Sequence, residues 1–419
     1  MSLRQSEWIL LKNFERTIAG EIDSFSRYSA TDEGVTRLPF SVENERVIEY
    51  MIGRLNELGK DVYVDEMGNV LTAGRNKDFR GEKTVFCSHY DSVPNGGKYD
   101  GVAGVVFGIL LLQEVDEADR DRMELLAFNC EESSLFGRPS IGSKSFFEGI
   151  ELLENYETLI GEKDTLISKM RKADFKRFSQ IERPHIGENT RFIEIHVDQS
   201  ETLSKRETEI GVVEKIAGQR RLKLSFKGET NHSSLMNLSV RRDSLVAAAS
   251  AILKVSELSG TLSSKEVVGT VTRIVNTPNV MNMIPGETEL MVDIRGYSAK
   301  ALDELKRTLI DHCGRKSSEV NVLFSAMEVA TCEPAIMEDS FSEFLMRKLL
   351  INRVTFSRMN SAAWHDIAEV SKYFPSSLLL LPNPSGASHS PTESMNLVCF
   401  SKLLVAMIEI FGGGHHASD

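Results

Sequence analysis

The chain has 419 residues, 41% hydrophobic and 26% charged, with 49 Lys+Arg against 61 Asp+Glu and a formal net charge of −12. That much apolar material excludes disorder as the main state, and the acidic balance argues against nucleic acid, whose phosphates need a clustered cationic surface. At about 150 residues per domain, the length suggests two to three structural units.

The start, Met1 to Trp8, has no basic stretch followed by an apolar run, so no secretory signal is expected. Val42–Leu58 reads as an amphipathic helix, with Val47, Ile48, Met51, Ile52 and Leu55 at helical spacing. Val70–Ala73 and Thr84–Ser88 are short β-rich runs, and Gly101–Val115 is apolar at near-helical spacing. Its core, Val102–Leu112, is the longest apolar stretch and is too short for a membrane span of about 20 residues. Leu125–Asn129 and Phe192–Val197 read as buried strands, and polar Asp164–Glu188 as surface helix and loop. Strands alternating with helices predict an α/β domain around a largely parallel sheet.

The character changes near Gly211. Arg221–Phe226 alternates polar and apolar, Asp243–Leu258 reads as a helix, Val267–Val275 and Glu287–Ile294 alternate again, and Ser298–His312 is helical. That β-α-β-β-α order predicts a small ferredoxin-like α+β unit inserted into the first domain. The expected boundaries are 1–211 and 326–419 for the larger domain and 212–325 for the inserted one. A helix near Phe341–Leu350, a strand Ser377–Leu381 and a helix Met395–Ile410 complete the return. Gly412–Asp419 reads as a mobile or added tail. Five scattered cysteines without a C-x-x-C pair suggest neither a disulfide framework nor a thiolate zinc site, and a reducing cytoplasm fits.

Four loops that follow apolar strands carry chemistry. In Ser88-His89-Tyr90-Asp91, His89 offers an imidazole to a divalent metal and Asp91 a carboxylate to orient it. Asp100, at a helix start, could reach the same point or simply cap the helix. In Asn129-Cys130-Glu131-Glu132, the functional reading needs one Glu on a metal and the other as a general base; the bland one is an acidic turn. His196, alone, reads as a packed histidine, and His389 in Gly386–Glu393 as part of a helix-entry loop. Together they lie where ligands gather in open α/β sheets, at strand carboxyl ends. Five N/O donors with one shared carboxylate suit two zinc-like ions.

These motifs resemble the amidase/hydantoinase/carbamoylase group of the co-catalytic di-zinc metallopeptidase superfamily, which includes N-carbamoyl-L-amino acid hydrolases, allantoate amidohydrolases and β-ureidopropionases. Beyond the four loops, the resemblance is carried by Gly218-Gln219-Arg220-Arg221, Asn231-His232, Arg241-Arg242-Asp243, Pro278–Gly286, Asp293-Ile294-Arg295, His365-Asp366 and Ser388-His389-Ser390-Pro391. It implies a mixed-sheet catalytic domain of zinc-exopeptidase type with a ferredoxin-like lid that also dimerises. By similarity His89 and His196 would hold one metal, Glu132 and His389 the other, and Asp100 would bridge them. Glu131 would be the general base for a metal-bridging water, with Asp91 supporting His89. His232 would reach across a homodimer to polarise the scissile carbonyl. Gln199, Arg221, Asn282 and Arg295 match substrate-contacting positions. Arg295 also makes sense alone, because a guanidinium grips a carboxylate with two parallel hydrogen bonds.

The implied activity is hydrolysis of a C–N bond in a linear ureido (N-carbamoyl) amino acid, with allantoate, or a dipeptide or acylated amino acid, as alternative substrates. A non-catalytic binding relative is the reading from a different class, and retention of Glu131 speaks against it. Zinc is the expected metal, with manganese, cobalt or nickel as alternatives. The partners implied are a small carboxylate substrate and a second copy of the chain, with no nucleic acid and no membrane. The chain departs from the family pattern at His196-Val197-Asp198-Gln199-Ser200, at Ser233–Met236 and at Ala362–Ile367. These changes touch pocket walls, so they put the substrate in question rather than the metal chemistry.

Overall fold

The computed structural model describes residues 5–74, 81–262, 264 and 266–412, so the expected tail lies outside the described residues beyond Gly412. The chain forms two compact units, Met1–Glu214 with Ile336–Asn360 and His365–Asp419, and Lys215–Ala335 with Ser361–Trp364. In chain order the first unit lays down β1 (Asp61–Val64), β2 (Val70–Ala73), β3 (Lys83–His89), β4 (Met123–Phe128), β5 (Thr190–Val197) and β6 (Ile210–Ile216). The second follows with β7 (Gly218–Lys227), β8 (Asn231–His232), β9 (Val267–Thr277), β10 (Met283–Ile284), β11 (Glu287–Gly296) and β12 (Leu323–Cys332). The chain then adds β13 (Ala335–Ile336), β14 (Phe356–Ser361) and β15 (Ser376–Leu381).

The large sheet has the order β1-β2-β4-β3-β5-β15-β6-β13, with β14 on β6. Its centre, β4-β3-β5-β15, is parallel, and the flanking pairs β1–β2, β2–β4 and β15–β6 are antiparallel. Strands covered on both faces read as continuous apolar runs. Accordingly Met123–Phe128 and Ser376–Leu381 are buried at every position. The helix Val102–Glu114 is buried from Val102 through Leu112, which explains why its sequence shows no polar face. The helix Val42–Glu57 starts where the Ser41 hydroxyl accepts the Asn44 amide, and it buries Val47, Ile48, Met51 and Leu55, as its spacing predicts.

The second unit is an antiparallel sheet in the order β12-β7-β11-β9. Its apolar face packs on the helices Ser244–Thr261 and Ala299–Glu319. Strand β11 alternates buried and half-buried residues along its whole length, the pattern of a one-sided sheet. Asp243 caps the first helix by accepting the Leu245 and Val246 amides, with Arg241 paired to it at 3.1 Å. The chain order is therefore β-α-β-β-α-β. The fourth strand, β12, is mostly exposed, and its Leu, Phe, Met, Val and Cys fall at both odd and even positions, so its alternation is weak in sequence. For that reason the unit runs on to Ala335, beyond the expected end near Ser325. At its other end the unit starts at Lys215, because Gly211–Val213 hydrogen-bond to β15 in the large sheet. The second helix also outruns its expected end at His312, since Cys313 and Ser317 continue its buried stripe. The N-terminal helix Gln5–Ser26, which the sequence reading did not anticipate, buries Ile18, Ile22 and Phe25 in the main core.

Candidate metal centre

The four parallel strands deliver their carboxyl ends to one place. His89 is the last residue of β3, Glu131 and Glu132 follow β4, His196 is near the end of β5, and His389 lies in the loop after β15. Asp100 joins them from the turn before the helix Val102–Glu114. Gly101, at φ 65°, makes that approach possible: a Cβ there would lie 2.5 Å from the His89 ring.

Asp100 is the common member. Its Oδ1 is 3.0 Å from His196 Nε2 and 3.6 Å from His89 Nε2, and its Oδ2 is 3.2 Å from His389 Nε2. His389 Nε2 is also 3.3 Å from Glu132 Oε1. Two donor groups result, His89–Asp100–His196, fully buried, and Asp100–Glu132–His389, with His389 at the open side. His196 also belongs to a third buried set with Glu194 and His365, whose Nδ1 lies 3.9 Å from Glu194 Oε1.

The donor set fits divalent cations. His196 Nδ1 donates to the Val197 carbonyl at 2.9 Å, which leaves Nε2 unprotonated, with the Gly101 amide at 3.2 Å and Asp100 Oδ1 at 3.0 Å. An unprotonated ring nitrogen beside a carboxylate oxygen is an arrangement a shared cation relieves. Both Asp100 oxygens are buried, and no amide or hydroxyl donates to them, so the imidazoles alone face a carboxylate that is costly to bury. Burial works to raise the Asp100 pKa, but the imidazoles of His196, His389 and His89 hold it well below the usual carboxylate range. In turn Asp100 and Glu132 push His389 up to about 11 against the opposing effect of burial. A field that binds a proton so firmly on a ring nitrogen would also bind a cation between ring and carboxylate.

More buried carboxylates crowd the same end of the unit. Burial pushes Glu131 well above its ordinary value, and Glu132, Asp366 and Asp91 add to the effect. Burial raises Asp91 to about 6, and burial with the Glu194 charge raises Asp366 to about 8. Such a nest of like charges is stable only beside compensating positive charge.

Asp91 sits differently from the sequence expectation. Its carboxylate accepts the amides of Glu131 and Glu132, both at 3.1 Å. His89 Nδ1 instead meets the Asp91 main-chain carbonyl at 3.1 Å, with the carboxylate at 3.7 Å. Asp91 thus clamps the Glu131–Glu132 turn, where Cys130 adopts φ 62°. Behind that turn Asn129 bonds Asn44, Asn69 and the Met67 carbonyl. Arg37, fully buried, ties the Tyr90 carbonyl to those of Phe25 and Tyr28. Arg37 is not among the residues the sequence singles out, and Asn129 enters there only as the end of a strand and the start of the Glu131–Glu132 loop. Glu194 was also passed over, although the signal was there: it lies two residues before His196 on a buried strand, so both point to one face.

Gln199 is half-buried on the turn after β5. The remaining candidates lie in the second unit. Arg221 on β7 and Arg295 on β11 both pair with Asp293, at 3.2 and 3.3 Å, and Arg295 Nη1 also donates to the Ala362 carbonyl. His232, on the short strand β8, is exposed. Its Nδ1 accepts the Ser234 amide, which leaves the proton on Nε2. Asn282 is exposed, and its carbonyl accepts the Ser233 amide. Among the described residues no helix is long and apolar enough to cross a membrane.

Comparison with known proteins agrees with these features. An allantoate amidohydrolase of Bacillus subtilis is 28% identical over 385 residues, 90% of this chain and 92% of its own. An N-carbamoyl-L-amino acid amidohydrolase of Geobacillus stearothermophilus is 29% identical over 367 residues, 86% of this chain and 88% of its own. Both names fall within the amidase/hydantoinase/carbamoylase group that the motifs resemble. The same fold occurs in a crystal structure of a hydantoinase/carbamoylase family amidase from Burkholderia vietnamiensis, with a TM-score of 0.82, 23% identity and coverage of 95% of this chain and 97% of the other. The family model for peptidase family M20/M25/M40 matches residues 85–411, the span that holds both donor groups, and the chain belongs to that family.

Proposed function

We propose that the chain is a di-metal hydrolase that cleaves a C–N bond of a linear ureido carboxylate, of the N-carbamoyl-L-amino acid type. The observation that carries this reading is the convergence of three imidazoles and Glu132 on Asp100, with Glu131 on the adjoining turn. His89 and His196 would hold one divalent ion, Glu132 and His389 the other, and Asp100 both; zinc suits this set first, with manganese, cobalt or nickel as alternatives. When bound, such a pair supplies Lewis acidity to the carbonyl and lowers the pKa of water.

The chain's own groups then divide the remaining work. Glu131 takes a proton from the attacking water on its carboxylate and returns it to the leaving nitrogen. Asp91 keeps Glu131 in place by holding its amide. His232 offers an Nε2–H suited to a developing oxyanion. Arg295 retains donors beyond those facing Asp293 and Ala362, which suit a substrate carboxylate. Gln199, Arg221 and Asn282 are assigned to the rest of the substrate.

A homodimer is part of the proposal. The second unit exposes Val246 and Leu253 on one helix, and β9 is an edge strand of its sheet, apolar side chains and a sheet edge of the kind a second copy could cover. Light scattering on the purified protein should give twice the chain mass. Cys87, Cys130, Cys313 and Cys399 are buried free thiols, which fits a reducing compartment such as the cytoplasm.

The test is an ammonia and product-mass assay on protein stripped of metal and reloaded with zinc or manganese. Its panel is N-carbamoyl-L-amino acids, N-carbamoyl-β-alanine, allantoate and dipeptides. Metal-dependent ammonia release from N-carbamoyl-L-amino acids is expected. Release from allantoate alone would move the assignment to the reaction named for the Bacillus relative. Cleavage of dipeptides without ammonia would replace the ureido reading with a peptidase one.

A further inference from the structure

We infer that Glu393 is a positioning residue of this centre: through the main chain of Tyr99 and Asp100 it fixes the carboxylate that both donor groups share. The inference rests on the ligand assignment above and extends it to a residue with no place among the ligands.

Glu393 Oε2 accepts two successive amides, Tyr99 N at 2.9 Å and Asp100 N at 3.0 Å. The residue is 7% exposed, and Oε1 is buried without a partner. The loop closes tightly on it, since a Cβ on Gly97 would lie 2.0 Å from Oε2. The first amides of the helix that follows, Val102 to Val105, find main-chain acceptors of their own, so Glu393 serves the approach to the helix rather than its end.

The same carboxylate belongs to the loop that carries His389. That loop is closed on itself: Asn383 donates to the Ala387 carbonyl and accepts from Ser394, and the Asn396 amide donates to the Pro382 carbonyl. It therefore delivers His389 by its side chain and sets Asp100 through Glu393. The two groups differ in what else holds them. His89 and His196 are buried, and each is oriented by a main-chain carbonyl on Nδ1. His389 is 46% exposed on its side chain, so the Asp100–Glu132–His389 group leans more on the loop. Loss of Glu393 should weaken that group first.

The experiment uses full-length protein stripped of metal and titrated with cobalt(II) against a competing chelator, read by bound metal and by the visible spectrum. Circular dichroism serves as the check of folding. In Glu393→Ala the second cobalt should bind about 10- to 100-fold more weakly, the range for removing a partner that orients a ligand, with the first changed far less. Glu393→Gln keeps an oxygen at the same reach and should restore the second ion. Glu393→Asp keeps the charge but withdraws the oxygen, so it should behave like the alanine variant; it also serves if the alanine protein does not fold. Turnover should fall in kcat with KM little changed. Two ions bound equally well by wild type and the Ala and Asp variants would overturn the inference alone. So would an Asp variant that matches wild type while Gln does not, because charge rather than placement would then be acting. A wild-type protein that binds fewer than two ions would overturn the ligand assignment and the inference with it.

Discussion

Glu131 and Asp366 are both buried carboxylates, yet they call for opposite experiments. Glu131 stands on a turn held by Asp91 and is assigned the proton transfer. Glu131→Gln preserves shape and hydrogen-bonding reach, so both metals should stay bound while kcat falls about 10²- to 10⁴-fold. Metal content by elemental analysis beside steady-state kinetics checks this, and unchanged turnover would remove Glu131 from its role. Asp366 accepts the Ser143 hydroxyl at 2.5 Å, and its other oxygen has no partner. Burial and the Glu194 charge push it up to about 8. A carboxylate raised above its unfolded value binds protons more tightly in the folded chain, so stability falls as pH rises from about 4 to 8. Asp366→Asn removes that titration and keeps an acceptor for Ser143. Urea unfolding of the metal-stripped variant should therefore show a shallower loss over this window than the parent.

At the scale of elements, the centre is made by strand ends, and that is why so much of it was legible. His89, Glu131, Glu132, His196 and His389 each follow a short apolar run, and a run that ends in a polar loop marks a strand's carboxyl end in sequence alone. Asp100 stood out because it sits in a Gly-rich turn at the start of an apolar helix. What stayed hidden depends on distance along the chain. Glu393 reads as part of a helix-entry loop, because the amides it holds lie 293 and 294 residues away. Asp91 looked like an imidazole's partner because His89 is its near neighbour, whereas its carboxylate binds amides 40 and 41 residues on. The exposed strand β12 lacked the apolar alternation that would reveal it. The scaffold itself can be probed at β15, where Leu379 is wholly buried in the parallel core. Leu379→Ala should cost about 2–5 kcal/mol by chemical denaturation. A loss under about 1 kcal/mol would mean that the surrounding core collapses onto the gap.

For the whole molecule, the buried carboxylates make bound cations part of the folded state's energy. Ions that bind only the native chain stabilise it by about 4 kcal/mol when free metal is a thousandfold above Kd. Calorimetry with and without a strong chelator should show a clear fall in Tm, and an identical Tm would mean that the donor groups hold nothing. The order of the large sheet matters in another way. Strand β15 lies between β5 and β6, yet nearly all of the chain precedes it. On a ribosome, β5 and β6 emerge with no neighbour to close the gap between them, and their facing edges wait through the synthesis of the entire second unit. The middle of the sheet is the last part to be filled, and His389 arrives only after it. A nascent chain thus passes from Ile216 to Ser376 with an open apolar slot and an incomplete set of ligands, the interval in which a chaperone would have most to protect and a free metal ion least to hold it.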